Sequence, residues 1–196
     1  MISSRDSLRK QIRDTRNQLS EQQQHEAAQD LVSSFLTLPE LKSSQHIALY
    51  LSNDGELSTQ PLVEKLWQLG KHTYLPILHP FSKGNLLFLH YDANTPLVTN
   101  RYGIWEPKLS QPHIKPVSQL DLIATPLVGF DALGNRLGMG GGYYDRTLEN
   151  WRNNESGPYP IGIAHDCQQV DSIPVQAWDV PLAKIVTPSK IWHWDG

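Results

Sequence analysis

Six short apolar runs recur along the 196-residue chain and limit its fold more than any other feature: "HIALYL" (46–51), "TYLPIL" (73–78), "LLFLHY" (86–91), "DLIATPLV" (121–128), "PIGIAH" (160–165) and "AKIVT" (183–187). Each has the length of a buried strand and falls well short of the roughly 20 apolar residues of a membrane span. Helical patterns separate several of them. One is predicted over 59–69, with Pro61 in its first turn, Leu62, Leu66 and Leu69 on one face and Gly70 as its stop. The first 38 residues contain no Pro or Gly. There Leu8, Ile12 and Leu19 recur at helical spacing, and Ser20 with Gln23 makes a capping box ahead of Ala27, Ala28, Leu31, Val32 and Phe35. Two helices should therefore precede Pro39. Strands interleaved with helices predict a single-domain α/β sandwich: a central, mainly parallel sheet flanked by helices and preceded by the N-terminal ones. Prolines at 96, 107, 112 and 116 predict a long irregular excursion over 95–116.

In an open α/β sheet, ligands bind beyond the carboxyl ends of strands. The stretch "GNRLGMGGGYYDR" (134–146) lies at such a place, a few residues after 121–128 and just before the helical-looking "YYDRTLENW". A turn without Cβ atoms lets backbone N–H groups approach an anion, and a following helix adds its partial positive end. Phosphate is the natural guest. The spacing is neither a P-loop, which would end Gly-Lys-Ser/Thr, nor a dinucleotide fingerprint, since Gly138, Gly140 and Gly142 give G-x-G-x-G. From composition alone, a tight glycine turn without a ligand is as good a reading. The flanks favour a ligand: Arg136 supplies a guanidinium for phosphate oxygens, and Asp145 supplies a hard oxygen of the kind Mg²⁺ accepts.

A net charge of −3 and a pI near 6.2 argue against a general nucleic-acid binder. Cys167 is the only cysteine, which excludes an intramolecular disulfide, a CxxC redox pair and a thiolate zinc cluster. The polar N-terminal stretch lacks the apolar core of a secretory signal. A soluble cytoplasmic protein, with no membrane, nucleic-acid or obligate protein partner, is the expectation.

The run "TPLVGFDALGNRLGMGGGYYDRTL", with "RDSLR" near the start, "NDGELST" after the first strand and "IPVQAWDVPLAKIVTP" at the end, resembles the 5-formyltetrahydrofolate cyclo-ligase (5,10-methenyltetrahydrofolate synthetase) family over nearly the whole chain. The resemblance implies ATP- and Mg²⁺-dependent conversion of 5-formyltetrahydrofolate to 5,10-methenyltetrahydrofolate. It implies ATP contacts from Arg5, Arg9, Arg136, Leu137, Gly138, Met139, Gly140, Gly141, Gly142, Tyr143 and Tyr144. Folate contacts would come from Glu56, Trp105, Met139, Gly140, Gly141, Gly142 and Tyr143. Asp145 and Asp179 would hold Mg²⁺, with Arg136 and Asp145 serving the chemistry. Family members also occur with Lys at the position of Gly141, so here more phosphate charge should fall on Arg136, the metal or the N-terminal arginines.

Read without the resemblance, these residues have plainer roles. Arg5, Arg9, Arg13 and Arg16 would form a solvated helix stripe; the resemblance lifts only Arg5 and Arg9 out of it. Glu56 would start a helix, Trp105 would pin the proline-rich loop or else stack on a ring, and Asp179 would be an exposed turn residue. His165–Asp166 lacks a nucleophile to activate, and Cys167 reads as a buried or incidental thiol. Two rivals keep part of the picture: a sugar-phosphate isomerase or acyl-transferase relative using the phosphate site without ATP, and a non-catalytic nucleotide or RNA sensor using the arginine stripe.

Overall fold

The computed structural model describes residues 5–154 and 156–194. It opens with α1 (Arg5–Arg16), α2 (Glu21–Phe35) and a short α3 (Pro39–Ser43), which takes Pro39 into its first turn, where the missing N–H costs no helical bond. The predicted capping box is present: Gln23 N donates to Ser20 Oγ, and Ser20 N donates to the Gln23 side chain. Next come β1 (His46–Ala48), α4 (Gln60–Gln68), β2 (His72–Leu78) and β3 (Leu86–Tyr91). The regular part of the first strand is shorter than its apolar run. Leu49 N still donates to Tyr74 O, but the chain then turns away at Asp54 and Gly55, both with positive φ.

The region 95–116 is more ordered than its prolines suggest. β4 (Leu97–Thr99) and β5 (Trp105–Pro107) form a hairpin, and β6 (Ile114–Lys115) joins the main sheet. Each proline there stands at a strand end or a turn, where no ladder donor is needed. β7 (Leu122–Pro126) leads to β8 (Gly129–Asp131), β9 (Arg136–Leu137), α5 (Tyr143–Thr147) and α6 (Glu149–Asn154). The "YYDRTLENW" segment is thus two short helices, broken at buried Leu148. β10 (Tyr159–Ile163), β11 (Gln169–Val170), β12 (Lys184–Val186) and β13 (Ile191–His193) follow.

The eight-stranded sheet has the order β13-β12-β10-β7-β1-β2-β3-β6. It is parallel from β12 through β2 and antiparallel at both flanks. Alternation along the strands feeds two cores. Ile47, Leu122, Ala124 and Ile161 pack under α2 and α4, whereas Ala48, Ile123 and Ile185 pack with Phe130, Leu148 and Val180 on the other face. α1 sits apart, with Leu8 and Ile12 against Val128, Leu137 and Ile173 near the small β11-β8-β9 sheet. β1 leads by α4 to β2 on one side, while β7, on its other side, leads away to β10. That reversal opens a crevice between β1 and β7.

Gly162, within β10, shows how tightly the second core is filled. A Cβ there would stand 2.8 Å from Ile185 and Leu182 and 2.9 Å from Leu127. Gly162→Ala should lower unfolding stability by about 1–3 kcal/mol through overpacking, read as a lower urea midpoint at unchanged slope.

Candidate active site

A cleft of about 1050 Å³ occupies this crevice. Its floor includes Tyr50 and Leu51 beyond β1 and Pro126 and Leu127 at the end of β7; α1 forms one wall and the glycine loop another. Every residue assigned to the site from sequence lines it except Leu137, which is fully buried behind the loop in the α1 core.

The wall formed by α1 follows from its sequence. Leu8 and Ile12 turn inward, so the arginines three and four residues apart lie along the adjoining face. Arg5 makes a two-pronged pair with Asp179, Nη1 to Oδ2 at 2.6 Å and Nη2 to Oδ1 at 3.1 Å, and also donates to Pro174 O at 2.7 Å. Arg9 Nε donates to Gly138 O at 2.7 Å, and its Nη1 donates to Asp6. Here the expectation of a solvated stripe fails for Arg16, while Arg13 stays 41% exposed. Arg13 Nε donates to Asp54 Oδ2 at 2.5 Å, and Arg16, only 1% exposed, donates from Nε to Asp54 O at 2.8 Å. Helical spacing revealed one face but not the turn that covers it.

The glycine loop is held from both sides. Gly140 and Gly142 have φ of +95° and +65°, and Gly142 is the N-cap of α5, so β-carbons would strain the approach to that helix. Arg146 Nη2 donates to Gly141 O, and its Nε donates to Gly84 O at 2.6 Å. A guanidinium therefore stands beside Gly141. Sequence reasoning gave Arg146 no role, although its place four residues after the N-cap lets it fold back over the loop. Arg136 is buried and donates to Asp145 Oδ1, while its Nε has no hydrogen-bond partner among the described residues. Burial works against the Arg136 charge, and Asp145 and Asp179 sustain it.

Asp145 and Asp179 differ in how their oxygens are engaged. The bonds from Arg136 and Val180 N both fall on Asp145 Oδ1, which leaves Oδ2 to another partner. Both oxygens of Asp179 are taken by Arg5, and Gln176 N adds a third bond at 2.9 Å. Among the described residues no group of three or more His, Cys, Asp or Glu could hold a metal alone.

Across the cleft, half-buried Glu56 accepts from Asn53 N at 3.0 Å. Burial raises its pKa to about 7 against the opposing influence of Arg16 and the Asn53 bond. Trp105 is 58% exposed, so it does not pin the hairpin to the core and leaves a ring face open to the cleft. The hairpin reaches the glycine loop instead through Arg101 Nη2, which donates to Tyr143 Oη at 3.1 Å, and Tyr102 Oη, at 3.1 Å from the same oxygen. His165 and Cys167 lie outside the cleft lining; burial holds the imidazole near a pKa of about 4 and pushes the thiol up.

The sheet reversal and its glycine-walled cleft define a ligand-binding α/β protein of the doubly wound type. A family model for the 5-formyltetrahydrofolate cyclo-ligase family matches residues 1–188, and the chain belongs to that family. It is 52% identical over 183 residues to the 5-formyltetrahydrofolate cyclo-ligase of Escherichia coli strain K12, covering 93% of this chain and 100% of the relative. The corresponding Haemophilus influenzae protein is 50% identical over 182 residues, covering 93% and 96%. The Aquifex aeolicus 5,10-methenyltetrahydrofolate synthetase structure superposes with a TM-score of 0.82 at 30% identity, covering 98% of this chain and 94% of that one. The Mycoplasma pneumoniae synthetase gives 0.72 at 28% identity, covering 94% and 99%. The chain is an enzyme of the cyclo-ligase class.

The Arg136–Asp145 pair also bears on stability, because Arg136 has little access to water. Asp145→Ala should cost about 3 kcal/mol by leaving a buried guanidinium without its carboxylate. Chemical denaturation in nucleotide-free buffer checks this, and an unchanged midpoint would show that water replaces the pair.

Proposed function

We propose that this cleft converts 5-formyltetrahydrofolate to 5,10-methenyltetrahydrofolate while ATP becomes ADP and phosphate. One observation carries the reading. Arg9 and Arg146 donate to carbonyls of the glycine loop and Arg136 pairs with Asp145 just after it, while Glu56 and exposed Trp105 line the same cleft. The first group suits a triphosphate, by charge and by backbone approach. The second suits a flat heterocycle whose donor edge meets a carboxylate and whose ring meets an aromatic face.

The chemistry asks for positioning more than for a nucleophilic side chain. A formamide carbon is a poor electrophile and its oxygen a poor leaving group. In the proposed sequence the formyl oxygen attacks the γ-phosphorus and the bond from that phosphorus to ADP breaks. N10 then bonds to the formyl carbon and loses its proton, and the carbon–oxygen bond breaks to release phosphate. Arg9 and Arg136 neutralise charge spreading over the phosphoryl oxygens, with Arg5 reaching them if it leaves Asp179, and the glycine N–H groups fix their orientation. Neither His165, held neutral by burial, nor Cys167 is needed.

Asp145 fits Mg²⁺ through its remaining oxygen, since such an ion takes one or two carboxylates and completes its shell with phosphate and water. When bound, the ion would add charge neutralisation at the β- and γ-phosphates. Asp179 would join it only by releasing Arg5, so in this conformation its work is to hold that arginine. We also infer a cytoplasmic setting from the single free cysteine; no helix among the described residues is long and apolar enough to cross a membrane.

An oxygen label tests the mechanism. Substrate carrying heavy oxygen in its formyl group should yield labelled inorganic phosphate in tightly coupled turnover, while unlabelled phosphate would overturn the formyl-phosphate step. A magnesium titration tests the metal assignment separately. Asp145→Asn should retain folate binding by calorimetry while its turnover, followed by the near-ultraviolet absorbance of the product, requires about tenfold more magnesium or falls by a comparable factor. An unchanged magnesium response would remove Asp145 from the ion.

A further inference from the structure

Arg16 is a buried cation with more to do than hold a helix. Its Nε and Nη2 donate to the Asp54 carbonyl and to Asp54 Oδ2, at 2.8 and 3.3 Å, while Nη1 is buried without a hydrogen-bond partner among the described residues. Asn17 Nδ2 donates to Asp54 Oδ1 at 3.1 Å, and a Cβ on Gly55 would collide with Asn17, so the end of α1 fits closely over the turn. Asp54 holds φ of +50°, a left-handed conformation that a non-glycine residue seldom adopts unless its surroundings impose it. Glu56 follows directly, its carboxylate turned back onto Asn53 N.

Among the described residues, four titratable groups act on Glu56. Arg16 comes from α1, Asp54 from its own turn, Tyr50 from the segment after β1, and Tyr144 from α5. Burial raises both tyrosine pKa values, so these rings stay neutral, and Asp54 opposes ionisation of Glu56. Arg16 is the cation in this set. His165, beyond it, is held neutral by burial, with Arg16 reinforcing that state.

We infer that Arg16 is a positioning residue for the folate half of the cleft: it pins the Asp54–Gly55 turn that carries Glu56 and, as the cation behind that turn, favours the carboxylate form of Glu56 as an acceptor. This rests on the reading of Glu56 as the folate carboxylate. The sign follows from the direction of titration. Donors on the substrate are accepted by the carboxylate form, so folate binding strengthens as pH rises through a midpoint near 7. Removing a nearby positive charge disfavours that form and moves the midpoint upward by about one unit.

The test is 5-formyltetrahydrofolate affinity, by fluorescence titration without ATP, from pH 5.5 to 9 on the full chain. Arg16→Met and Arg16→Gln should both move the midpoint up by about one unit, with about tenfold weaker binding at pH 6. Arg16→Gln keeps an amide donor for the Asp54 carbonyl and carries the test if the Met variant fails to fold. Arg16→Lys should restore the midpoint, and Arg13→Ala, which removes an Asp54 contact that is 41% exposed, should leave it in place. Weaker binding with an unmoved midpoint in the Met or Gln variants would overturn the inference, because a purely structural clamp lowers affinity at every pH. Glu56→Gln separates the two levels. If it abolishes the pH dependence while the Arg16 variants leave the midpoint in place, only the Arg16 inference falls. If it changes neither affinity nor pH profile, the folate reading of Glu56 falls and takes the inference with it.

Discussion

The cleft depends on how one helix disposes of its positive charge. A guanidinium withdrawn from water must find carboxylates or carbonyls, or the burial is prohibitive. The α1 arginines find them on segments far away in sequence: Asp54 after β1, the Gly138 carbonyl in the glycine loop, and Asp179 before β12. These contacts draw the N-terminal helix against three loops that the sheet leaves at its carboxyl edge. The apolar side of the helix contributes Leu8 and Ile12 to a small satellite core and could not fix that arrangement alone.

This pairing shapes the chemistry as well. Arg5 and Arg136 are each held by an aspartate, so neither presents an uncompensated charge. A phosphate arriving at the loop under the proposed function would compete with carboxylates of the same sign. Under the proposed function, a cation on Asp145 would release part of the Arg136 field towards the nucleotide. The Arg5–Asp179 pair has two aligned side-chain bonds and a further bond from Gln176 N, whereas Arg136 and Val180 N share one oxygen of Asp145. The two aspartates, alike in sequence, are therefore unequal in the folded chain.

The strands and helices were legible because their signals are local. The unbroken apolar runs around Ile47 and Ile123, the Ser20–Gln23 box and the Gly70 stop operate over a few residues and survive in the fold. The glycine loop was legible for the same reason, since a backbone that must take positive φ at Gly140 and Gly142 declares itself in composition. Elements set by distant partners were not. The prolines of 95–116 suggested irregular chain, yet β6 gains its ladder from β3 and the hairpin gains support from Asn100 and Leu78, which both donate to Glu106.

The amino-acid order by itself determined the alternation of strand and helix, the place of the glycine turn after a strand, the stripe of four arginines and the family resemblance. Each is a property of spacing, which needs no knowledge of what lies opposite. Only the tertiary structure decided which arginines meet water and which meet carboxylates, that Trp105 is exposed, and that Arg16 holds the turn ahead of Glu56. The physical reason is that charge and burial are properties of neighbourhoods. Asp54 is 38 residues from Arg16 and Asp179 is 174 from Arg5, and no local pattern encodes those meetings before the sheet has brought its loops together.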